Sequence, residues 1–479
     1  MGEDDVVTTS GEPGGTDITT PDTSQTTVEA NTAKTIVIAI VLATLLVVGL
    51  LGVTGWATIQ RGWSLGQPWW YGLQLRYVAT PIAALTAAIV AITTAWWTVR
   101  STRAISAAEH TRWETDRKNE NTRRATDRQD AIERTLRDRF HELVKLLASD
   151  ELRAREGAAY AVAALADDWS MHYRNEPNRA RAEQQVCIDV LISQLRDPMP
   201  DDELAPAHMV AFKHSIQGIF RSRLGTVEEG IIQPGVWTSF NLVFDGCTFH
   251  EFDVIGCVFS GDTSFDGARF ARGARFNGAQ FSGDTSFDGA QFSGDTSFNG
   301  ARFARGARFD GARFVRGARF DGAQFSGDTS FGGAQFSGFA HFSARFARGA
   351  NFNGAHFTGK ASFQHACFVR DSFFDGAHFT GDAVFYKAHF GGGLAYFHSA
   401  HFVRGVEFNG AQFTATAWFR NAHFAITRVS FDKARFKARA VVDDNTYFSV
   451  PPAEFPKCEV CDEIRAMQET AREPDNGSP

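Results

Sequence analysis

FDGAQFSGDTSFNGARFARGARFDGARFVRGARFDGAQF, from Phe287 to Phe325, carries a phenylalanine at gaps that alternate between five and six residues. The rhythm continues on both sides, so that Phe265, Phe270, Phe276, Phe281, Phe287, Phe292, Phe298, Phe303, Phe309, Phe314, Phe320 and Phe325 form one series. A small residue stands two places before most of them, as at Thr263, Ala268, Ala274 and Ala290. Residues two apart on an extended segment point to the same side. The small residue and the Phe therefore face inward together, and the residue between them faces out. Asp-Gly or Asn-Gly often follows the Phe, which is a turn signal. Each unit reads as one short extended side and one corner. A helix would need apolar residues every three or four positions, and a two-sided sheet would not hold this spacing for so long. The stretch predicts a solenoid lined by Phe rings.

Working outward, the spacing holds from Phe244 to Phe436. It accounts for a lopsided composition: 44 Phe against 7 Tyr, with 44 Gly and only 5 Met, in 479 residues. A repeated structural position uses one aromatic residue in this way; a conventional core does not. The pattern resembles the pentapeptide-repeat family in its Phe-rich form. The resemblance implies a right-handed quadrilateral β-helix, a solenoid with four units per coil, placed at 237–437. Each coil then holds about 22 residues, and about nine coils stacked at ~4.8 Å give a rod about 40 Å long. Each buried Phe contributes roughly 1.5–3 kcal/mol, so a narrow column stays folded without a globular core. The spacing breaks between Phe342 and Phe352 and between Phe390 and Phe402, where local bulges are expected.

Outward positions of such a coil stack into columns. One reads Arg269, Gln291, Arg313, Gln335, His356, His378, His401, His423, and its counterpart on another side includes Gln280, Arg302, Gln324, Arg345, Cys367, His389, Gln412 and Arg435. The ladder His356, His378, His401 and His423 is the candidate site. Imidazoles about 4.8 Å apart resist joint protonation, and the ladder is a candidate for a transition metal or for softening of the rod near pH 5–6. Ordinary polar stacking from repeat duplication is the competing reading. Cys458 and Cys461 form a single C-x-x-C without the second pair a closed zinc site needs. Cys247 and Cys257 precede Phe by two and read as small inward residues. Asp266, Asp288 and Asp310 stack as like charges with no function assigned. No nucleophile motif, Walker loop, dinucleotide fingerprint or H-E-x-x-H occurs, and no cofactor is expected.

The N-terminal half reads differently. Residues 1–34 form an acidic tail too poor in large apolar residues to fold. Residues 35–100 hold two apolar runs, Ile36 to Ala57 and Tyr77 to Val99, each long enough to cross a bilayer, and are expected to form a transmembrane hairpin. Trp56, Trp63, Trp69, Trp70, Trp96 and Trp97 suit interfacial belts. Arg100, Arg103, Arg112, Arg117 and Lys118 outnumber the loop's Arg61 and Arg76, which places both termini in the cytoplasm. Residues 101–150 read as a helical stalk, polar from Glu109 to Asp130, with an apolar face at Ile132, Leu136, Phe140, Leu143 and Leu147. Residues 151–236 read as an α-helical module, and 438–479 as a C-terminal cap and tail. Arg139 to Trp169 resembles the helical module of bacterial membrane-bound pentapeptide-repeat proteins. The usual Gly pair is Gly157-Ala158 here, and the common Glu-Arg is replaced by Ala163-Ala164. That resemblance brings no catalytic residue.

These readings predict a multi-pass cell-membrane protein, not an enzyme, that acts as an interaction scaffold. Its expected partners are a lipid bilayer, through two helices, and an unidentified protein; the short stalk leaves homo-oligomerisation open. The formal net charge of -7 and six unpatterned Cys suggest neither a nucleic-acid partner nor a disulfide framework. A membrane-coupled sensor is an alternative. Modulation of gyrase by DNA mimicry is a weaker one, because the repeats hold slightly more Lys and Arg than Asp and Glu.

Overall fold

A computed structural model describes residues 70–197 and 206–448, apart from 229, 425–427 and 444, together with residues 34, 38, 41, 42, 45 and 49. The chain divides into two compact units, Met1–Thr126 and Asp127–Pro479.

Helix α1 (Trp70–Leu147) is 78 residues long. It joins the second apolar run and the stalk without the expected boundary at residue 100, because neither Pro nor Gly interrupts it beyond residue 83. In the first unit its apolar part is long and apolar enough to cross a membrane, with a mean hydropathy of 1.3. Leu85, Ile92 and Trp96 there are exposed. From Glu109 to Asp130 every side chain is exposed, and pairs such as Arg124–Glu120 at 2.9 Å support a polar helix from its own surface. Of the first apolar run, Ile38, Val41, Leu42 and Leu45 are helical and exposed. Apart from Gly49, the rest of that run lies outside the described residues, as do most of the tail, the belt residues Trp56, Trp63 and Trp69, and the Cys458–Cys461 pair.

In the second unit α2 (Leu152–His172), α3 (Pro177–Ser193) and α4 (Ala207–Arg223) pack around one core. Pro177 opens α3 at its first turn, where a missing N–H costs nothing. Val162, Leu165, Ile188, Leu191, Ile216 and Ile219 are fully or almost fully buried. Leu136, Leu143 and Leu147 join this core, with Phe140 partly buried against it. Ile132 does not: it stays half exposed at 52%, one turn short of where α2 and α3 cover the stalk face. The span read as wholly helical to residue 236 ends instead in a hairpin, β1 (Gly225–Glu228) and β2 (Ile231–Gln233). Strand β1 pairs antiparallel with β6 (Cys257–Phe259). Its partner lies in the solenoid, so no local period marks it.

The solenoid runs from β3 (Leu242–Val243) to β40 (Tyr447–Phe448), past the expected end at residue 437. Two-residue strands stack in parallel one coil apart, as in Thr285↔Ala307 and Phe281↔Phe303. They form four faces, with sheets of 11, 10, 10 and 9 strands, the first of which includes the antiparallel strands β1 and β2. All twelve Phe of the series from Phe265 to Phe325 lie inside, at 0–1% exposure. Rings of successive coils stack nearly parallel; Phe292 and Phe314 are 4.7 Å apart at 2°. Rings from different faces meet edge-on, as Phe298 and Phe309 do at 87°, the arrangement ring quadrupoles favour. Five-residue units close by a tight turn: Ala268 N–H donates to the Phe265 carbonyl at 3.0 Å, and Gly267 has φ +63°, as the third position of a type II turn requires.

The two spacing breaks are not bulges. Between Phe342 and Phe346 one turn residue is missing, and between Phe390 and Phe397 the corner Gly391-Gly392-Gly393-Leu394 is one longer. The strands on either side keep register, Arg345↔Cys367 and Ala395↔Ala417. Both length changes fall in corners, and the paired strands on either side hold the register.

Candidate functional site

The outward side chains form four columns, one per face, and both columns read from the sequence fall on single sheets. Arg269, Gln291, Arg313, Gln335, His356, His378, His401 and His423 follow one another strand by strand. The register Gln280 to Arg435, through Cys367 and His389, makes another face.

In the histidine ladder the rings stack at 4.8, 4.7 and 4.7 Å, tilted by only 2°, 5° and 2°. Partial burial, then the neighbouring imidazole His356, pushes His378 below the ordinary histidine range. Burial, then His378 and His423, does the same to His401. The rings lie parallel. Two zinc–nitrogen bonds of about 2.1 Å span at most ~4.2 Å, less than the ring spacing, so the stack does not converge on an ion. Among the described residues no group of three or more His, Cys, Asp and Glu is placed to hold a metal.

The sequence reading missed the column on the adjoining face. Phe373, Tyr396 and Trp418 occupy successive outward positions, and each is partly exposed. Phe373 and Tyr396 stack at 5.1 Å and 4°. His398, in the turn between the two faces, lies 5.7 Å from Tyr396 and 5.9 Å from Trp418, and the Arg420 guanidinium sits 4.8 Å from the Trp418 ring. The signal was present: Phe373 directly precedes the inward Phe374, and Tyr396 and Trp418 precede Phe397 and Phe419. Reading every Phe as inward hid it.

The stacked aspartates have a structural role. Asp266 Oδ1 accepts the Asp288 backbone N–H at 3.0 Å and Asp288 Oδ1 that of Asp310 at 2.9 Å. Each carboxylate thus satisfies the turn above it, and a backbone dipole separates it from the next charge. Several arginines of the earlier coils have no such partner: among the described residues Arg269, Arg272, Arg313, Arg316 and Arg319 make no ion pair. Cys247 and Cys257 are fully buried, and burial pushes their thiols up to about 12 and about 11, so they are inert inward residues.

At the base of the column Lys213 is 1% exposed. Its Nζ donates to the carbonyls of Leu195 at 2.9 Å, Asp197 at 2.6 Å and Thr248 at 3.1 Å. Burial pushes its pKa down to about 8. No sequence signal marks this residue, because all three acceptors are backbone atoms from other elements.

The fold and its columns define a Phe-lined quadrilateral β-solenoid whose differences between coils lie in outward side chains. A family model described as pentapeptide repeats (9 copies) matches residues 244–291, 277–324, 287–335 and 374–423, all within the solenoid. No curated protein and no solved structure matches the chain.

Proposed function

We propose that the protein is a membrane-tethered, non-catalytic scaffold that presents its pentapeptide-repeat solenoid to a protein partner. The observation carrying this reading is the division of labour in each coil. Inward positions are Phe and small residues almost without exception, while outward positions change character along the rod, from Arg, Gln and Ser to His and aromatic residues. An invariant interior with a variable exterior is what a rigid recognition surface needs. Tethering is supported by the apolar part of α1, whose exposed Leu85, Ile92 and Trp96 suit lipid. With both termini on the cytoplasmic side, as the Lys and Arg distribution suggests, the rod would stand in the cytoplasm.

Two measurements test the reading. Alkaline carbonate extraction of native membranes should leave the full chain in the pellet; release into the supernatant ends the tethering claim. Proximity labelling should lose its main partners when Arg313 and Arg319 are replaced by Glu on an intact rod. An unchanged partner set would remove this surface from the binding role.

A further inference from the structure

We infer that the edge between the histidine and aromatic columns, in the last coils of the solenoid, is a docking surface for anionic lipid headgroups that strengthens as pH falls. The inference takes the lipid from the membrane reading above, but the geometry stands without it.

Phe373, Tyr396 and Trp418 on one face belong to the same coils as His378, His401 and His423 on the next. His398 and Arg420 sit in the turns between them. The ring contacts form an unbroken chain from Phe373 through Tyr396 and His398 to Trp418 and the Arg420 guanidinium. Partly exposed Trp and Tyr prefer the headgroup level of a bilayer, and cations beside them attract anionic lipid. Soluble polyanions without an apolar part would explain the charge but leave the aromatic stripe unused.

The charge of this edge is conditional. The outward column from Arg269 to His423 contains no carboxylate. Around the ladder, Asp375, His398 and Arg420 lie on the turn side and Lys360, Asp382, Arg404 and Arg428 on the opposite corner, with Gln335 below and Tyr447 above. Asp375 Oδ1 is engaged by the His398 ring at 3.2 Å, and Asp382 Oδ1 by the Gly405 N–H at 3.2 Å. With the imidazoles neutral, two carboxylates face four cations in the turns and corners around the ladder. Partial burial, then the charge of neighbouring imidazoles, pushes His378 and His401 below the ordinary histidine range and so disfavours their protonated forms. Acidification adds charge to a column that itself carries no carboxylate counterion. Anionic headgroups at the same edge would supply it and so favour protonation, which couples binding to proton uptake.

The test is hydrogen exchange of the full chain with vesicles of phosphatidylcholine alone or with about one-third phosphatidylglycerol, at pH about 7.5 and about 5.5. Peptides spanning residues 373–424 should exchange severalfold more slowly on the anionic vesicles, and more so at the lower pH. The double variant His378→Gln/His401→Gln should lose the pH dependence while peptides around Phe309–Phe325 keep their protection, which shows that the rod is intact. Trp418→Ala should weaken protection at both pH values. Equal exchange on both vesicle types overturns the inference, as does protection that ignores pH. Protection conferred equally by soluble inorganic polyphosphate would reassign the edge to polyanions in general. Carbonate extraction reads tethering separately: a chain that proves soluble can still dock, and a tethered chain can fail to.

Discussion

Phe320 lies between Phe298 at 5.0 Å and Phe342 at 4.8 Å, both nearly parallel, and meets Phe309 and Phe331 edge-on at 5.7 and 5.4 Å. A ring enclosed by four others leaves a void that no neighbour can fill, since each is fixed by its own ladder. Phe320→Ala should therefore cost about 3–5 kcal/mol, read from denaturant unfolding of the intact chain; an unchanged midpoint would contradict the packing. Lys213 poses the opposite problem, a charge held among backbone carbonyls. Its folded pKa of about 8 lies below the ordinary 10.5, so between these values the unfolded chain holds a proton that the folded chain has released. Stability should rise with pH across that window, and the burial cost is fully present below it. Lys213→Met should abolish the alkaline rise and, by leaving carbonyls without their donor, cost about 1–3 kcal/mol near neutral pH. Thermal unfolding at stepped pH checks both. Neither effect was equally legible in the chain: the Phe interval is a local pattern, whereas the acceptors of Lys213 are brought together only by folding.

At the scale of the element, strand and corner obey different rules. A strand of two residues has one inward and one outward side chain, and it is held by ladders to the coils above and below. A one-residue insertion between Thr296 and Ser297 would exchange the two sides for the rest of that face, and should abolish cooperative unfolding of the solenoid. An extra Gly between Gly392 and Gly393 falls in a corner that already accommodates one additional residue. It should cost less than about 1 kcal/mol, and a large loss there would mean that this corner is itself a packed element. The same distinction explains why the broken spacings at Phe342–Phe352 and Phe390–Phe402 were expected as bulges and became altered corners. Spacing alone records a change in length but not which part of the coil takes it up. The aromatic column escaped notice for a related reason, because Phe373 is chemically identical to the inward residues and differs only in its place in the strand.

For the whole molecule, the exposed end of a stack of strands is a template for another stack, and the helical module covers one such end. Thr248 N–H donates to the Leu195 carbonyl at 2.8 Å, Phe220 packs on Phe244 at 5.3 Å, and β1 occupies the free edge beside Cys257–Phe259. Removing residues 1–233, which takes away β1 and β2 with the helices, should uncover Phe244 and this edge and produce concentration-dependent self-association in light scattering. Removing only 1–126 should not, because the module remains; association of both truncations to the same degree would show that capping lies elsewhere. By itself the sequence determined the solenoid, its inward rings and the membership of two outward columns, because a repeat writes the same short-range instruction in every coil. Tertiary structure alone decided which columns share an edge, how the base is closed and where a lysine can be buried. Those depend on atoms a full coil or a whole module apart, and their meeting is set by how the chain packs, not by any interval along it.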